Sequence, residues 1–107
     1  MSQSRIEVFE QMLLGDPANT MVMFGLAKEY EKAGDEAKLI ETLERYLAAA
    51  EDEGNAYGML ARAYERTKET EKARTAYQRG VEVAQAHGHP GMAEEYRGIL
   101  ESEFSVP

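Results

Sequence analysis

The sequence contains no cysteine and only three prolines in 107 residues. Without cysteine the chain cannot form a disulfide, a zinc–thiolate site or a thiol nucleophile. The absence also fits a reducing compartment, so we expect the protein in the cytoplasm. Because proline is scarce, long stretches of the chain are free to be helical. These absences favour an all-helical protein without covalent cross-links.

Long apolar runs are also missing, because charged residues interrupt every apolar stretch. No segment is long and apolar enough to span a membrane, and the N-terminus does not have the pattern of a signal peptide. The chain has 20 acidic and 12 basic residues, which gives a net charge of −8. This charge would repel nucleic acid and phosphate-rich membrane surfaces. We therefore expect a protein or peptide partner, with no nucleic acid and no membrane.

What the sequence does have is apolar residues at three- and four-residue spacing, which predicts amphipathic helices. No useful run alternates with a period of two, so we predict no sheet. Gly34 and Asp35 separate two helices, with the glycine ending one and the aspartate capping the next. At the earlier boundary, Gly15 ends a helix, and we predict that Asp16 caps the following helix with Pro17 in its first turn.

The apolar pattern repeats at a constant offset of 34 residues, without a gap. Such a period is the signature of a helical repeat protein, in which neighbouring repeats stack to bury a shared core. The matching pairs are Met23/Tyr57, Leu26/Leu60, Ala27/Ala61, Tyr30/Tyr64, Leu39/Ala73, Leu43/Tyr77, Tyr46/Gly80 and Leu47/Val81. An ordinary helical bundle with a coincidental period is the alternative.

The residues that carry a family resemblance are Leu26-Ala27-x-x-Tyr30, Tyr57-x-x-Leu60-Ala61-x-x-Tyr64, Gly34-Asp35, Ala73-x-x-x-Tyr77 and the inter-repeat turn Asp16-Pro17-Ala18-Asn19. With them, the chain resembles the tetratricopeptide repeat family over roughly residues 4–86. The resemblance implies an all-α, right-handed α-solenoid of antiparallel helix pairs, with about six helices in a single domain over 1–107. Its parts would be a leading half-repeat helix (4–14), two full repeats (20–53 and 54–87) and a C-terminal capping helix (91–104).

The same resemblance implies a non-enzymatic protein–protein interaction module whose first helices line a concave groove. On the first of these helices, Phe24, Lys28 and Lys32 share one stripe. The corresponding region of the second full repeat offers further candidates: Asn55, Met59, Arg62 and Arg66. The cations of the two stripes would suit an acidic peptide or a C-terminal carboxylate.

Two alternatives to this groove remain open. Glu31 and Glu65 stand three residues after Lys28 and Arg62, so the cations could be neutralised locally, and the acidic capping helix could also satisfy the arginines. The second alternative is a structural role, in which an exposed end of the stack associates with another copy or a larger assembly. For such a homodimer the N-terminal face, including Ile6 and Phe9, is the candidate surface.

Catalytic chemistry has little support in the sequence. The two histidines, His87 and His89, could contribute to a metal site, but no third histidine or cysteine completes one. Glycine-rich phosphate loops of the usual spacing are missing, and two loop histidines do not support a serine–histidine–aspartate arrangement. We therefore expect no enzymatic activity, no metal and no cofactor.

Overall fold

A computed structural model describes residues 4–104, which form six α-helices and no β-strand. The helices are α1 (Arg5–Gly15), α2 (Thr20–Ala33), α3 (Glu36–Ala49), α4 (Asn55–Arg66), α5 (Thr70–Ala86) and α6 (Pro90–Glu103). The predicted all-helical class is confirmed. The chain divides into two compact units, the first ending at Ala50 and the second beginning at Glu51. Helices α1–α3 belong to the first unit and α4–α6 to the second.

The cap at the start of α2 differs from the prediction. Asn19, not Asp16, is the N-cap, and its Oδ1 accepts a hydrogen bond of 3.1 Å from the backbone N–H of Val22. Asp16 closes α1 instead, and its carboxylate accepts a hydrogen bond from the Asn19 side chain. Pro17 therefore lies in the connection between the helices. The prediction was wrong because Asn19 is also a good capping residue and stands directly before the helix.

Both helical hairpins, α2–α3 and α4–α5, turn through a residue in the left-handed conformation. Gly34 has φ 75° and Lys68 has φ 65°. In each turn the next residue donates its backbone N–H to the carbonyl of a tyrosine in the preceding helix. Asp35 donates to Tyr30 in the first hairpin, and Glu69 donates to Tyr64 in the second. This is the Schellman arrangement that satisfies the last carbonyls of a helix. Glycine adopts it freely, whereas lysine does so at a cost.

In the first unit, α2 and α3 bury a core centred on Leu39 and Leu43, which have no exposed surface. Helix α1 adds Leu13 to this core and lays the ring of Phe9 beside Gly25. A buried leucine of this kind stabilises the fold by about 1.5–3 kcal/mol. Phe9 was expected on the N-terminal face that would contact another copy. Its ring instead faces α2.

In the second unit, α6 packs against α5 and continues the core of the α4–α5 hairpin. Tyr96 of α6 and Phe104, the C-cap residue of this helix, are buried, and each ring lies 5.8 Å from the ring of Tyr77. Aromatic pairs at this separation contribute beyond the area that they bury. Helix α6 begins at Pro90, a favourable residue for a first helical position.

Candidate functional site

The predicted stripe on α2 lies at the surface of the first unit. Lys28 and Lys32 are exposed, and Phe24 is half-buried. Met21, one turn earlier on the same helix, is 85% exposed and extends the apolar part of this surface. The sequence reasoning missed Met21, although its spacing of three residues from Phe24 already placed it on this face.

The apolar part of the stripe is held in place by α3. The rings of Phe24 and Tyr46 lie 5.2 Å apart at an angle of 40°. Together with Thr20 and Met21 they line a surface cavity of about 270 Å³. The hollow therefore has an aromatic wall and an exposed, flexible methionine, which can adapt to an apolar side chain.

The cationic part of the stripe is Lys28 and Lys32. The ammonium of Lys28 lies 5.4 Å from the centre of the Phe24 ring, within the range of a cation–π contact. Lys32 forms an ion pair of 3.7 Å with Glu29, which Arg5 also contacts at 3.2 Å. The glutamate that pairs within the stripe is thus Glu29, on the neighbouring turn. The ammonium of Lys28 therefore lies over a ring that also lines the hollow.

The candidates on α4 have a different environment. Met59 is 4% exposed and belongs to the core, so the prediction that it offers an apolar contact to a ligand is wrong. The reason is that α4 is buried on more than one face, which a single stripe in the sequence does not reveal. Asn55 and Arg66 are exposed, and Arg62 is half-buried.

Helix α6 covers the part of α4 that contains Gly58. A Cβ at Gly58 would lie 2.4 Å from the Tyr96 hydroxyl, and one at Gly80 would lie 2.9 Å from the Tyr96 ring. The Tyr96 hydroxyl donates a 3.0 Å hydrogen bond to the Gly54 carbonyl. We call the space bounded by Gly54, Gly58 and Gly80 the tyrosine slot. The side chain of Tyr96 fills this slot and covers the part of α4 around Gly58.

Arg62 acts within this covered region. Its charge counteracts the pKa increases that burial, the larger effect, produces in Tyr77 and Tyr96. Glu65, the predicted local partner of Arg62, accepts a 2.7 Å hydrogen bond from the Tyr77 hydroxyl. That bond further raises the pKa of Tyr77. The polar groups here serve the interior of the second unit.

Two larger cavities lie elsewhere and occupy equivalent positions of the two hairpins. One, of about 340 Å³, includes Leu26, Tyr30 and Arg45, and α1 also lines it. The other, of about 430 Å³, includes residues 34 positions later: Leu60, Tyr64 and Arg79. Because these cavities recur with the repeat, we interpret them as a feature of the hairpin and not as a specific site.

The described residues 4–104 contain no cluster of three or more histidine and carboxylate side chains that could hold a metal ion. His89 contacts Glu53 instead, at 2.5 Å between Nε2 and Oε1. This hydrogen bond, and then the charge of His89, lower the pKa of Glu53. Over the same residues, no helix has the length and apolar character needed to cross a membrane.

Comparison with known proteins agrees with the repeat seen in the sequence and the fold. Residues 54–87 match the family model of the tetratricopeptide repeat. Over 95 residues the chain is 31% identical to a TPR repeat-containing protein of Pseudomonas aeruginosa, a match that covers 89% of this chain and 90% of that protein. Repeats of this family are non-catalytic and generally mediate protein–protein interaction. On this evidence, the chain belongs to the tetratricopeptide repeat family.

Proposed function

We propose that the chain binds a segment of another protein on the surface of α2, and that the segment carries a large apolar side chain followed by acidic residues. The observation that carries the proposal is the hollow of Met21, Phe24 and Tyr46 with the ammonium of Lys28 beside it. The apolar side chain of the segment would occupy the hollow, and its carboxylates would lie along Lys28 and Lys32.

Physical chemistry favours this pairing. Met21 exposes most of its side chain, so covering it removes apolar area from water at about 25 cal/mol per Å². Lys28 is an exposed cation on a protein of net charge −8, and together with Lys32, which also pairs with Glu29, it offers positive charge to an acidic segment. Because such pairs are exposed, the binding should weaken as salt is raised.

The candidates predicted on α4 are not part of the proposed α2 surface. Asn55 and Arg66 are exposed, and their part in binding stays a prediction. Arg62 and Met59 are left out of the revised surface, because one lies beside the buried tyrosines and the other is in the core. That α2 and α4 together face one groove stays a prediction.

The binding experiment uses short fluorescent peptides that carry one phenylalanine followed by aspartates, with a second set in which lysines replace the aspartates. Fluorescence anisotropy should show binding of the acidic set and little binding of the basic set. Lys28→Glu should weaken binding of the acidic set by roughly tenfold or more, which corresponds to about 1.4 kcal/mol.

Lys38 provides a matched control for Lys28. It is also exposed, and its ammonium also lies over a ring, 5.8 Å from the centre of Tyr30. Lys38→Glu changes the net charge equally but lies outside the α2 stripe, so it should leave binding almost unchanged. Equal losses in the two variants would show a general charge effect and would refute the proposed surface.

A further inference from the structure

Methionine carries all the sulfur of this chain, because the sequence has six methionines and no cysteine. A peroxide that reaches the protein therefore meets no thiol, and the thioether sulfurs are its most readily oxidised side-chain groups. The sulfur must touch the oxidant to react, so the exposure of each methionine determines how fast it is oxidised.

Met21 is the most exposed methionine of residues 4–104. It is 85% exposed, whereas Met12 on α1 is 46% exposed. Met23 and Met59 belong to the core, with 2% and 4% of their surface exposed, and Met92 is half-buried. A peroxide should therefore oxidise Met21 before the other methionines of this range.

Met21 also forms one wall of the hollow on the first unit. Thr20, Phe24 and Tyr46 line the same cavity of about 270 Å³. As a thioether, Met21 gives this cavity an apolar and flexible edge, which suits an apolar side chain of a bound segment. The most accessible sulfur of residues 4–104 therefore lies in the surface that we propose for binding.

The reaction is the transfer of one oxygen atom from hydrogen peroxide to the Met21 sulfur. A lone pair of the sulfur attacks one peroxide oxygen, so that an S–O bond forms and the O–O bond breaks. The second oxygen leaves as water with both hydrogens of the peroxide. The sulfur is oxidised by two electrons and the peroxide is reduced by two. The product is methionine sulfoxide, a polar side chain with a hydrogen-bond acceptor oxygen.

This sulfoxide opposes the binding of an apolar side chain in the hollow. While the hollow is open, water can hydrogen-bond to the sulfoxide oxygen. An apolar side chain that covers Met21 removes this water and offers no hydrogen bond in exchange, which costs free energy. Covering the thioether has no such cost, because it removes only apolar area from water.

We propose that Met21 is an oxidation site that regulates binding on the surface of α2, with the thioether as the binding form and the sulfoxide as the weakened form. This inference rests on the proposed function. The change is reversible, because methionine sulfoxide reductase with a dithiol removes the oxygen as water and returns the thioether, while the dithiol becomes a disulfide. The surface would then hold its partner under reducing conditions and release it when peroxide is present.

Tandem mass spectrometry of the peroxide-treated chain measures the rate at which each methionine is oxidised. Met21 should react first and Met12 second, while Met23 and Met59 stay protected in the folded chain. Saturating acidic, phenylalanine-containing peptide should slow the oxidation of Met21 and leave the rate at Met12 unchanged. Equal rates at Met21 and Met12, or a Met21 rate that the bound peptide does not change, would overturn the proposal.

Fluorescence anisotropy measures the effect on binding, after catalase has removed the peroxide. The chain with oxidised Met21 should bind the acidic peptide about tenfold more weakly than the untreated chain. This loss should grow in step with the fraction of Met21 sulfoxide, and reduction with dithiothreitol and methionine sulfoxide reductase should reverse it. Full binding by a chain in which Met21 is oxidised would overturn the proposal.

Two leucine substitutions separate the two exposed sulfurs, and each variant is compared with itself before and after peroxide. Met12→Leu should lose affinity on treatment as the wild type does, whereas the affinity of Met21→Leu, whatever its starting value, should stay constant. Equal losses in both variants would overturn the proposal. An untreated wild-type chain that does not bind the peptide would refute the α2 surface and this inference together, whereas binding that peroxide leaves unchanged refutes this inference alone.

Discussion

The two helical hairpins share a repeat but differ at two equivalent positions. Phe24 and Tyr46 of the first hairpin correspond, 34 residues later, to Gly58 and Gly80 of the second. The two aromatic rings pack against each other in a tilted arrangement in the first unit. The two glycines form a space in the second unit, and Tyr96 of α6 fills it.

This difference shows how one repeat can produce either a closed packing surface or an open hollow at the surface. Two glycines let α6 approach α4 and α5 closely, so that Tyr96 is only 2% exposed. Two aromatic residues at the same positions fill the space themselves and leave a shallow hollow. Residue size at two positions therefore separates the stabilising role of the second unit from the proposed binding role of the first.

The largest expected change in stability comes from placing a side chain in the tyrosine slot. Gly58→Ala places a methyl group 2.4 Å from the Tyr96 hydroxyl, so the ring must leave its site. Loss of the packed ring and of its buried hydrogen bond should lower the free energy of unfolding by about 3 kcal/mol. Urea denaturation measures this change.

Gly98→Ala is the matched control for the tyrosine slot, because nothing lies within 4 Å of a Cβ at Gly98 in α6. It should stabilise the chain by about 0.5–1 kcal/mol, since alanine is a better helix former than glycine. If Gly58→Ala behaved like Gly98→Ala, the slot would not hold Tyr96 as described.

A smaller effect is expected when the aromatic pair of the first unit is removed. Phe24 is half-buried, so Phe24→Ala should cost about 1–2 kcal/mol of stability, less than a fully buried phenylalanine. The same change removes one wall of the hollow and the ring below Lys28, so it should also weaken binding of the acidic peptides. Calorimetry and anisotropy on one sample measure both effects, and retained binding would contradict the role of the hollow.

Substitutions at the two hairpin turns should change the free energy of unfolding by about 1 kcal/mol in opposite directions. Lys68 has φ 65°, so Lys68→Gly should stabilise the chain by about 1 kcal/mol through relief of the left-handed backbone. Gly34→Ala in the first hairpin, where φ is 75°, should destabilise it by a similar amount. Thermal unfolding of both variants measures these changes. If both substitutions shifted the melting temperature in the same direction, the two turns would not share the same left-handed backbone.

The smallest effect on stability concerns the carboxyl groups of Glu65 in α4 and Glu103 in α6. A hydrogen bond with Glu65, and then its charge, raise the pKa of Glu103 above its ordinary value of 4.5. A raised carboxyl pKa means that the folded chain holds the proton more tightly. Its stabilising contribution is therefore present below pH 4.5 and is lost as the pH rises through the raised value.

Glu103→Gln should accordingly raise the melting temperature slightly at neutral pH and have less effect in acid. Glu95→Gln, an exposed change of equal charge on the same helix, is the control. If the two variants had the same melting temperature at every pH, the carboxyl groups of Glu103 and Glu65 would not interact.

Much of the fold could be predicted because the repeat is a periodic signal. The offset of 34 residues identified Leu26, Leu60, Tyr30 and Tyr64 as core positions, and all four are buried. The turn at Gly34 and Asp35 was also predicted, because glycine and a capping side chain are local signals. The cap at Asn19 was missed because two capping residues stand near the same helix start.

The site was harder to predict, because it depends on which surfaces other helices cover. Met59 shares the spacing of a surface stripe, but its burial depends on packing that a single helix does not reveal. Gly58 gave no sign of the tyrosine slot, because the contact joins residues 38 positions apart on α4 and α6. Sequence spacing identifies the face of a helix, whereas exposure depends on its neighbours.

The most direct measurement of the central claim is a nuclear magnetic resonance titration of the labelled chain with the acidic, phenylalanine-containing peptide. The account predicts that the backbone amide signals of Met21, Phe24 and Lys28 shift progressively until the peptide saturates the chain, while those of Gly58 and Tyr96 do not shift. Shifts confined to α4 and α6, or an unchanged spectrum at saturating peptide, would contradict a binding surface on α2.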